Sequence, residues 1–195
     1  MWPYYKLLPE LPAPPQKFVD AVKIDPDNLP STTPYHEVRI RWSTRNGEQF
    51  LASKAARVPL SEEFEQWVRE NILPNFNDAG VNYRHFNSDT GGVHTDTTRD
   101  YTLNWNITQG GPRCGVTWWQ EKGKPMYRTR GIQHLDFDVL EPLHDIEGPM
   151  GTWFLLDSRI LHSVERIEGE PRVQLAISLD ERDVPEQWLL PDDWL

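Results

Sequence analysis

The sequence predicts a mainly β fold with flanking helices, closed as a sandwich or barrel, and three observations carry that expectation. From Val81 onward, short runs rich in β-branched and aromatic residues recur between clusters of Gly, Pro, Asp and Asn, the texture of many short strands. Two runs alternate strictly, so that each has one apolar and one polar face. In 101–108, Tyr101, Leu103, Trp105 and Ile107 oppose Thr102, Asn104, Asn106 and Thr108. In 172–179, Val173, Leu175, Ile177 and Leu179 oppose Arg172, Gln174, Ala176 and Ser178. The third observation is a pair of helical segments upstream whose apolar stripes need a sheet to cover. A chain of 195 residues suits one domain, 1–195, with a single substantial core.

In chain order, residues 1–35 form a proline-rich arm, with Pro3, Pro9, Pro12, Pro14, Pro15, Pro26, Pro30 and Pro34, interrupted by a short helix from about Pro15 to Val22. Phe18, Val19 and Val22 make its apolar stripe. Residues 36–42 and 49–58 read as strands about the Asn46-Gly47 turn. Ser61 caps a longer helix, Glu62 and Glu63 suit its positive end, and Pro74 follows it. Phe64, Trp67, Val68 and Ile72 fall on one side of that helix at helical spacing. Further strands are expected near 81–87, 92–95, 100–108, 114–120, 126–132, 135–140, 151–157, 160–167 and 172–179. The tail from Asp180 folds back on the body through Trp188, Leu189, Leu190 and Trp194. The strand-rich part of the chain therefore begins near Val81 and ends near Leu179.

Composition narrows the function. Net charge is −10, which disfavours nucleic acid, since such binders neutralise phosphates with a basic face. Lys122, Lys124, Arg128 and Arg130 are one candidate for a local basic patch, better read as a solvated hairpin. No apolar run is long enough to cross a bilayer, and the Met1-Trp2-Pro3-Tyr4-Tyr5-Lys6 start lacks a signal-peptide layout. Cys114 is the single cysteine, so no internal disulfide forms and a cytoplasmic setting is expected.

If helices cover one face of a closed sheet, the opposite, polar faces line an interior suited to a ligand. His94-Thr95-Asp96 places an imidazole and a carboxylate on one face of an extended segment. Two histidines and one carboxylate on one side of an octahedral ion suit non-heme Fe(II). His134-Leu135-Asp136 is a rival with the same spacing. However, 68 positions separate His94 from His162 and only 28 separate His134 from His162. The longer span lets a jelly-roll sheet wind back to one point; the shorter holds about two hairpins. His134, His36, His85 and His144 are read as ordinary strand or loop histidines. Ten positions beyond His162 comes Arg172, after the Glu168-Gly169-Glu170-Pro171 turn. Its guanidinium is suited to grip a carboxylate bidentately, or else to pair with Glu168 or Glu170 at the surface.

Val93-His94-Thr95-Asp96, Tyr101 to Asn106, Leu156-Asp157-Ser158 through His162-Ser163-Val164, and Pro171-Arg172-Val173 through Ser178 resemble the double-stranded β-helix dioxygenases that depend on Fe(II) and 2-oxoglutarate. The likeness is to small hydroxylase-like members and covers roughly 80–180. It implies a jelly-roll, cupin-like fold in which His94, Asp96 and His162 bind iron and Arg172 holds the distal carboxylate of 2-oxoglutarate. Asn104 would be a second co-substrate contact. The implied reaction consumes O2, converts 2-oxoglutarate to succinate and CO2, and hydroxylates a C–H bond of a peptide side chain or small molecule. Gln174 stands where many relatives have serine, leaving Tyr83, Tyr101 and Thr102 as candidates to complete the carboxylate site. Trp118, Trp119, Trp153 and Tyr127 either line a substrate mouth or are plain core. Two other readings stay open: a cupin-like metal-dependent isomerase or hydrolase, and a non-catalytic jelly-roll binding module.

Overall fold

The computed structural model describes residues 4–22, 37–85, 92–132 and 135–189. Among the described residues, ten strands form two antiparallel sheets: Tyr5–Leu8 (β1), Glu37–Arg45 (β2), Glu48–Pro59 (β3), Asp78–His85 (β4), Tyr101–Gln109 (β5), Gly115–Glu121 (β6), Leu140–Glu147 (β7), Trp153–Asp157 (β8), His162–Glu165 (β9) and Arg172–Leu179 (β10). The large sheet runs β1-β8-β5-β10-β4-β3-β2 and the small one β7-β6-β9. A single bridge, His94 to His162, adds a fourth member beside β9. From β4 onward the chain passes back and forth between the two sheets, the winding of a double-stranded β-helix.

Both helices lie where their stripes require. Gln16–Ala21 (α1) buries Phe18, and Glu62–Asn71 (α2) buries Phe64 and Val68. The Ser61 side chain accepts from the Phe64 N–H at 3.3 Å, so the expected cap forms. Phe18 and Phe64 stack with centroids 4.4 Å apart. Beneath them Leu103, Leu175, Ile177, Leu179 and Trp153 complete the main core. Trp188 and the partly buried Leu189 of the tail also pack there; Leu190 and Trp194 lie outside the described residues.

The polar faces are as buried as the apolar ones. Thr102, Asn104 and Asn106 are only 4%, 3% and 2% exposed, so they face between the sheets and not into solvent. Hydrogen bonds satisfy them there, as burial of polar groups demands. Of the two readings of Trp153, substrate mouth or plain core, the structure has the second: it belongs to the core on the other face. It is fully buried, and its Nε1 donates to the Pro12 carbonyl at 2.8 Å. Trp153→Ala is expected to cost about 3–5 kcal/mol, read as a lowered denaturation midpoint with an unchanged slope.

Several expected elements differ. Residues 92–95 form one bridge and no strand. Residues 126–132 are irregular: Thr129 N–H donates to the Arg159 carbonyl and Gly131 N–H to the Asp96 carbonyl, which secures the segment without a ladder. Phe137–Val139 is a short 3-10 turn, and the strand begins only at Leu140. β7 escapes an alternation test because Pro142 and a register shift opposite Trp118/Trp119 interrupt it; proline is tolerated there because β7 is an edge. The N-terminal arm contributes β1, paired with β8, and sends Tyr4 to stack on Trp118 of the small sheet at 4.7 Å.

Candidate metal centre

His94 and His162 meet through paired backbone hydrogen bonds of 3.0 and 2.9 Å, which bring their rings to a centroid separation of 4.5 Å. His94 Nδ1 lies 2.9 Å from the Gly92 carbonyl and His162 Nδ1 lies 2.8 Å from the Ile160 carbonyl. A carbonyl only accepts, so each Nδ1 carries a hydrogen, and in the neutral ring Nε2 then keeps its lone pair. That is the tautomer a metal requires, held by the outer hydrogen bond typical of ligating histidine.

Asp96 is pinned by its N–H, which donates to the Ser158 carbonyl at 2.8 Å. Its Oδ1 lies 3.8 Å from His94 Nε2. One donor atom from each of His94, Asp96 and His162 falls within 4.8 Å of the others, and all three residues are buried. Small side-chain rotations bring such a set onto one ion. Burial opposes ionisation of Asp96, but the Arg99 guanidinium, joined by the His162 and His94 rings when these are protonated, outweighs it and holds the carboxyl well below its usual range. The carboxylate is thus charged and ready to donate. Arg99, which sequence reading missed, is the principal partner: its Nε donates to Asp96 Oδ2 at 2.6 Å. Its position three residues after Asp96 was the available signal, but i+3 means little outside a helix.

Arg172 opens β10 on the face shared with Gln174 and Ser178. It is only 3% exposed, and its Nε and Nη1 have no hydrogen-bond partner among the described residues. Burial pushes the guanidinium below its usual pKa, opposed by nearby Cys114. The surface-pair alternative is overturned: Glu168 bonds Arg113 at 2.9 Å, and Glu170 accepts from the Gly111 N–H. Gly110 is needed beside it, because a Cβ there would sit 2.8 Å from Arg172 Cβ and φ is +90°. A buried guanidinium with Nε and Nη1 short of acceptors among the described residues has the chemistry to receive an anion.

The other candidates are distributed less favourably. Asn104 is buried, and its Nδ2 donates back to the Thr102 carbonyl at 3.0 Å. Thr102 Oγ1 is 2.8 Å from Ser158 Oγ. Tyr101 lies in the main core, its hydroxyl accepting from Arg159 Nη2, so it does not complete the carboxylate site. The Tyr83 and His85 side chains, and His36 and His134, lie outside the described residues. Asp136 of the rival motif accepts from the Asp138 N–H at 2.9 Å as a cap. His144 stacks on Trp118. Trp119 donates to Ser163, and Tyr127 donates to Glu121. Gln174 donates to Asn106 Oδ1 at 2.9 Å, and Asn106 donates to the Pro149 carbonyl at 2.7 Å; this amide pair lies on the face that carries Arg172. The basic cluster is neutralised in part: Arg128 bonds Asp157, Arg130 bonds Asp100 and Asp180, and Lys124 bonds Glu121.

No protein-family model matches the chain, and no curated protein matches it. Solved structures similar to it include an oxidoreductase of the 2OG-Fe(II) oxygenase family from Burkholderia pseudomallei, at 10% identity and a TM-score of 0.44, covering 81% of this chain and 80% of that one. Another is E. coli ycfD, at 15% identity and a TM-score of 0.46, covering 92% of this chain but 51% of that one. A third is a Pseudomonas putida prolyl-4-hydroxylase, at 13% identity and a TM-score of 0.39, covering 90% and 92%. The chain thus spans about half the length of ycfD.

Proposed function

We propose that this protein is an Fe(II)- and 2-oxoglutarate-dependent oxygenase that hydroxylates a C–H bond of a peptide side chain or small molecule. Two observations support the reading: a buried His94–Asp96–His162 donor set, and a buried Arg172 whose Nε and Nη1 lack partners among the described residues. A metal hydrolase or isomerase has no general need for the second, and a binding module has no need for the first.

In this reading His94 and His162 would hold the ion through Nε2 and Asp96 through Oδ1, a donor set suited to Fe(II) chemistry. The iron, once bound, supplies the chemistry that couples decarboxylation of 2-oxoglutarate to oxidation of a C–H bond. The chain's own residues orient and shield. Arg172 takes the distal carboxylate of 2-oxoglutarate and so fixes the direction in which the co-substrate lies. The Asn106–Gln174 amides stand beside it where a serine hydroxyl is usual. Val116, Trp118, Leu156 and Ile160, packed as a small apolar cluster with Tyr4, keep water from the interior.

The test is anaerobic titration with Fe(II) and 2-oxoglutarate. The expected result is a weak visible charge-transfer band that needs both components, together with a rise in melting temperature. Absence of both signals in the wild-type protein would overturn the reading.

A further inference from the structure

Arg99 sits next to the proposed metal centre without belonging to it. Its side chain is 15% exposed, so it is largely withdrawn from solvent and its hydrogen bonds are worth more than those of a surface pair. Nε donates to Asp96 Oδ2 at 2.6 Å, and Nη1 donates to Ser178 Oγ at 3.1 Å. One guanidinium therefore spans from the Asp96 carboxylate to β10. The Asp96 backbone is held separately, by its N–H to Ser158 and its carbonyl to Gly131. What Arg99 adds is control of the remaining freedom, rotation of the carboxylate about its own axis.

We infer that Arg99 is a positioning residue that reserves Asp96 Oδ2 and so limits Asp96 to one-oxygen donation. This rests on the metal reading above and deepens it. A carboxylate with both oxygens free can occupy two positions of a six-coordinate ion; one whose second oxygen is taken by a guanidinium occupies one. Oδ1 is the oxygen turned toward His94 Nε2, at 3.8 Å, and Oδ2 is the one Arg99 holds. With His94 and His162 supplying one nitrogen each, three positions remain. A chelating 2-oxoacid needs two of them, and O2 needs the third. Two-oxygen donation would leave too few. The bond to Ser178 also ties the carboxylate to the strand that carries Arg172 at its other end, so both halves of the site share one rigid element.

The experiment is titration with Co(II), which reports coordination through its visible spectrum, using wild type, Arg99→Met and Arg99→Lys. Arg99→Met is expected to weaken Co(II) affinity by roughly 10- to 100-fold, the usual effect of losing a hydrogen-bond partner of a metal ligand, and to change the Co(II) spectrum. Arg99→Lys, which keeps a cationic donor for Oδ2, should restore the wild-type spectrum at intermediate affinity. A folded Arg99→Met protein with wild-type affinity and spectrum overturns the assignment while leaving the metal reading standing. Wild type that takes up no Co(II) overturns both. Should Arg99→Met fail to fold, Ser178→Ala removes only the far anchor and must shift affinity in the same direction; no shift overturns the proposal.

Discussion

Arg172→Met is expected to weaken 2-oxoglutarate binding by about thirty-fold to a few thousand-fold, while leaving metal affinity within a small factor of wild type. The range corresponds to roughly 2–5 kcal/mol for truncating one partner of a buried, hydrogen-bonded charge pair. A second expectation has the opposite sign to most core substitutions. In the ligand-free protein the guanidinium is buried with Nε and Nη1 lacking partners among the described residues, a state that costs stability. Methionine has a similar unbranched stem and no charge to desolvate. The variant should therefore melt at a higher temperature than wild type without ligand, and 2-oxoglutarate should no longer raise it. Calorimetric titration gives the first quantity and thermal melts the second. A variant that loses stability but binds 2-oxoglutarate normally would show that Arg172 holds the fold together and not an anion.

His94→Ala should remove metal binding altogether at micromolar protein, and 2-oxoglutarate binding with it. The loss must exceed the roughly 10- to 100-fold that follows when only an outer hydrogen-bond partner is removed, because one of the three donors themselves is gone. The fold should persist. His94 meets His162 through backbone hydrogen bonds of 3.0 and 2.9 Å, and these do not involve the imidazole. Losing the buried ring and its Nδ1 bond to the Gly92 carbonyl should lower the melting temperature without metal, while the increase that Fe(II) or Co(II) gives wild type disappears. Asp136→Asn is the matched control from the rival motif. Its carboxylate caps a 3-10 turn, so it should leave metal affinity unchanged. If His94→Ala binds metal as wild type does, the donor set is wrong and the rival pair returns to consideration.

Much of this arrangement is legible in the amino-acid sequence. β10 coincides with the expected 172–179 run, and β5 differs from its expected bounds by one residue at each end, because strict alternation over eight residues is a strong local signal. The cap at Ser61 and the Phe64/Val68 stripe are equally plain. Other segments mislead for identifiable reasons. Tyr127, Thr129 and Ile132 have the composition of a strand, but a strand exists only with a partner, and the Thr129 and Gly131 N–H groups go to isolated carbonyls. β7 carries Pro142 and a register irregularity, so its pattern is broken where its pairing is not. β1 is four residues long, shorter than any periodicity test can use, and it is ordered by pairing with β8.

The proposed iron site is available in outline from the chain alone. His94 and Asp96 share a face at a spacing of two, His162 lies far enough along for a wound sheet to return, and Arg172 opens a strand whose polar face needs an occupant. The shared face of His94 and Asp96 and the polar face of the Arg172 strand are local properties that backbone geometry settles within a few residues, and the His162 spacing is a count along the chain. Folding of the whole chain decides the rest. It turns Trp153 outward into the main core and Thr102, Asn104 and Asn106 inward, takes Tyr101 away from the interior, and removes Arg172 from its neighbouring glutamates. It also sets Arg99 between Asp96 and Ser178, residues 82 positions apart. Contacts of that kind depend on which strands pair and in what register, and no local pattern carries that information. The proposed metal ligands can be chosen from spacing; Arg99, the residue bonded to one of them, becomes visible only when distant parts of the chain close around it.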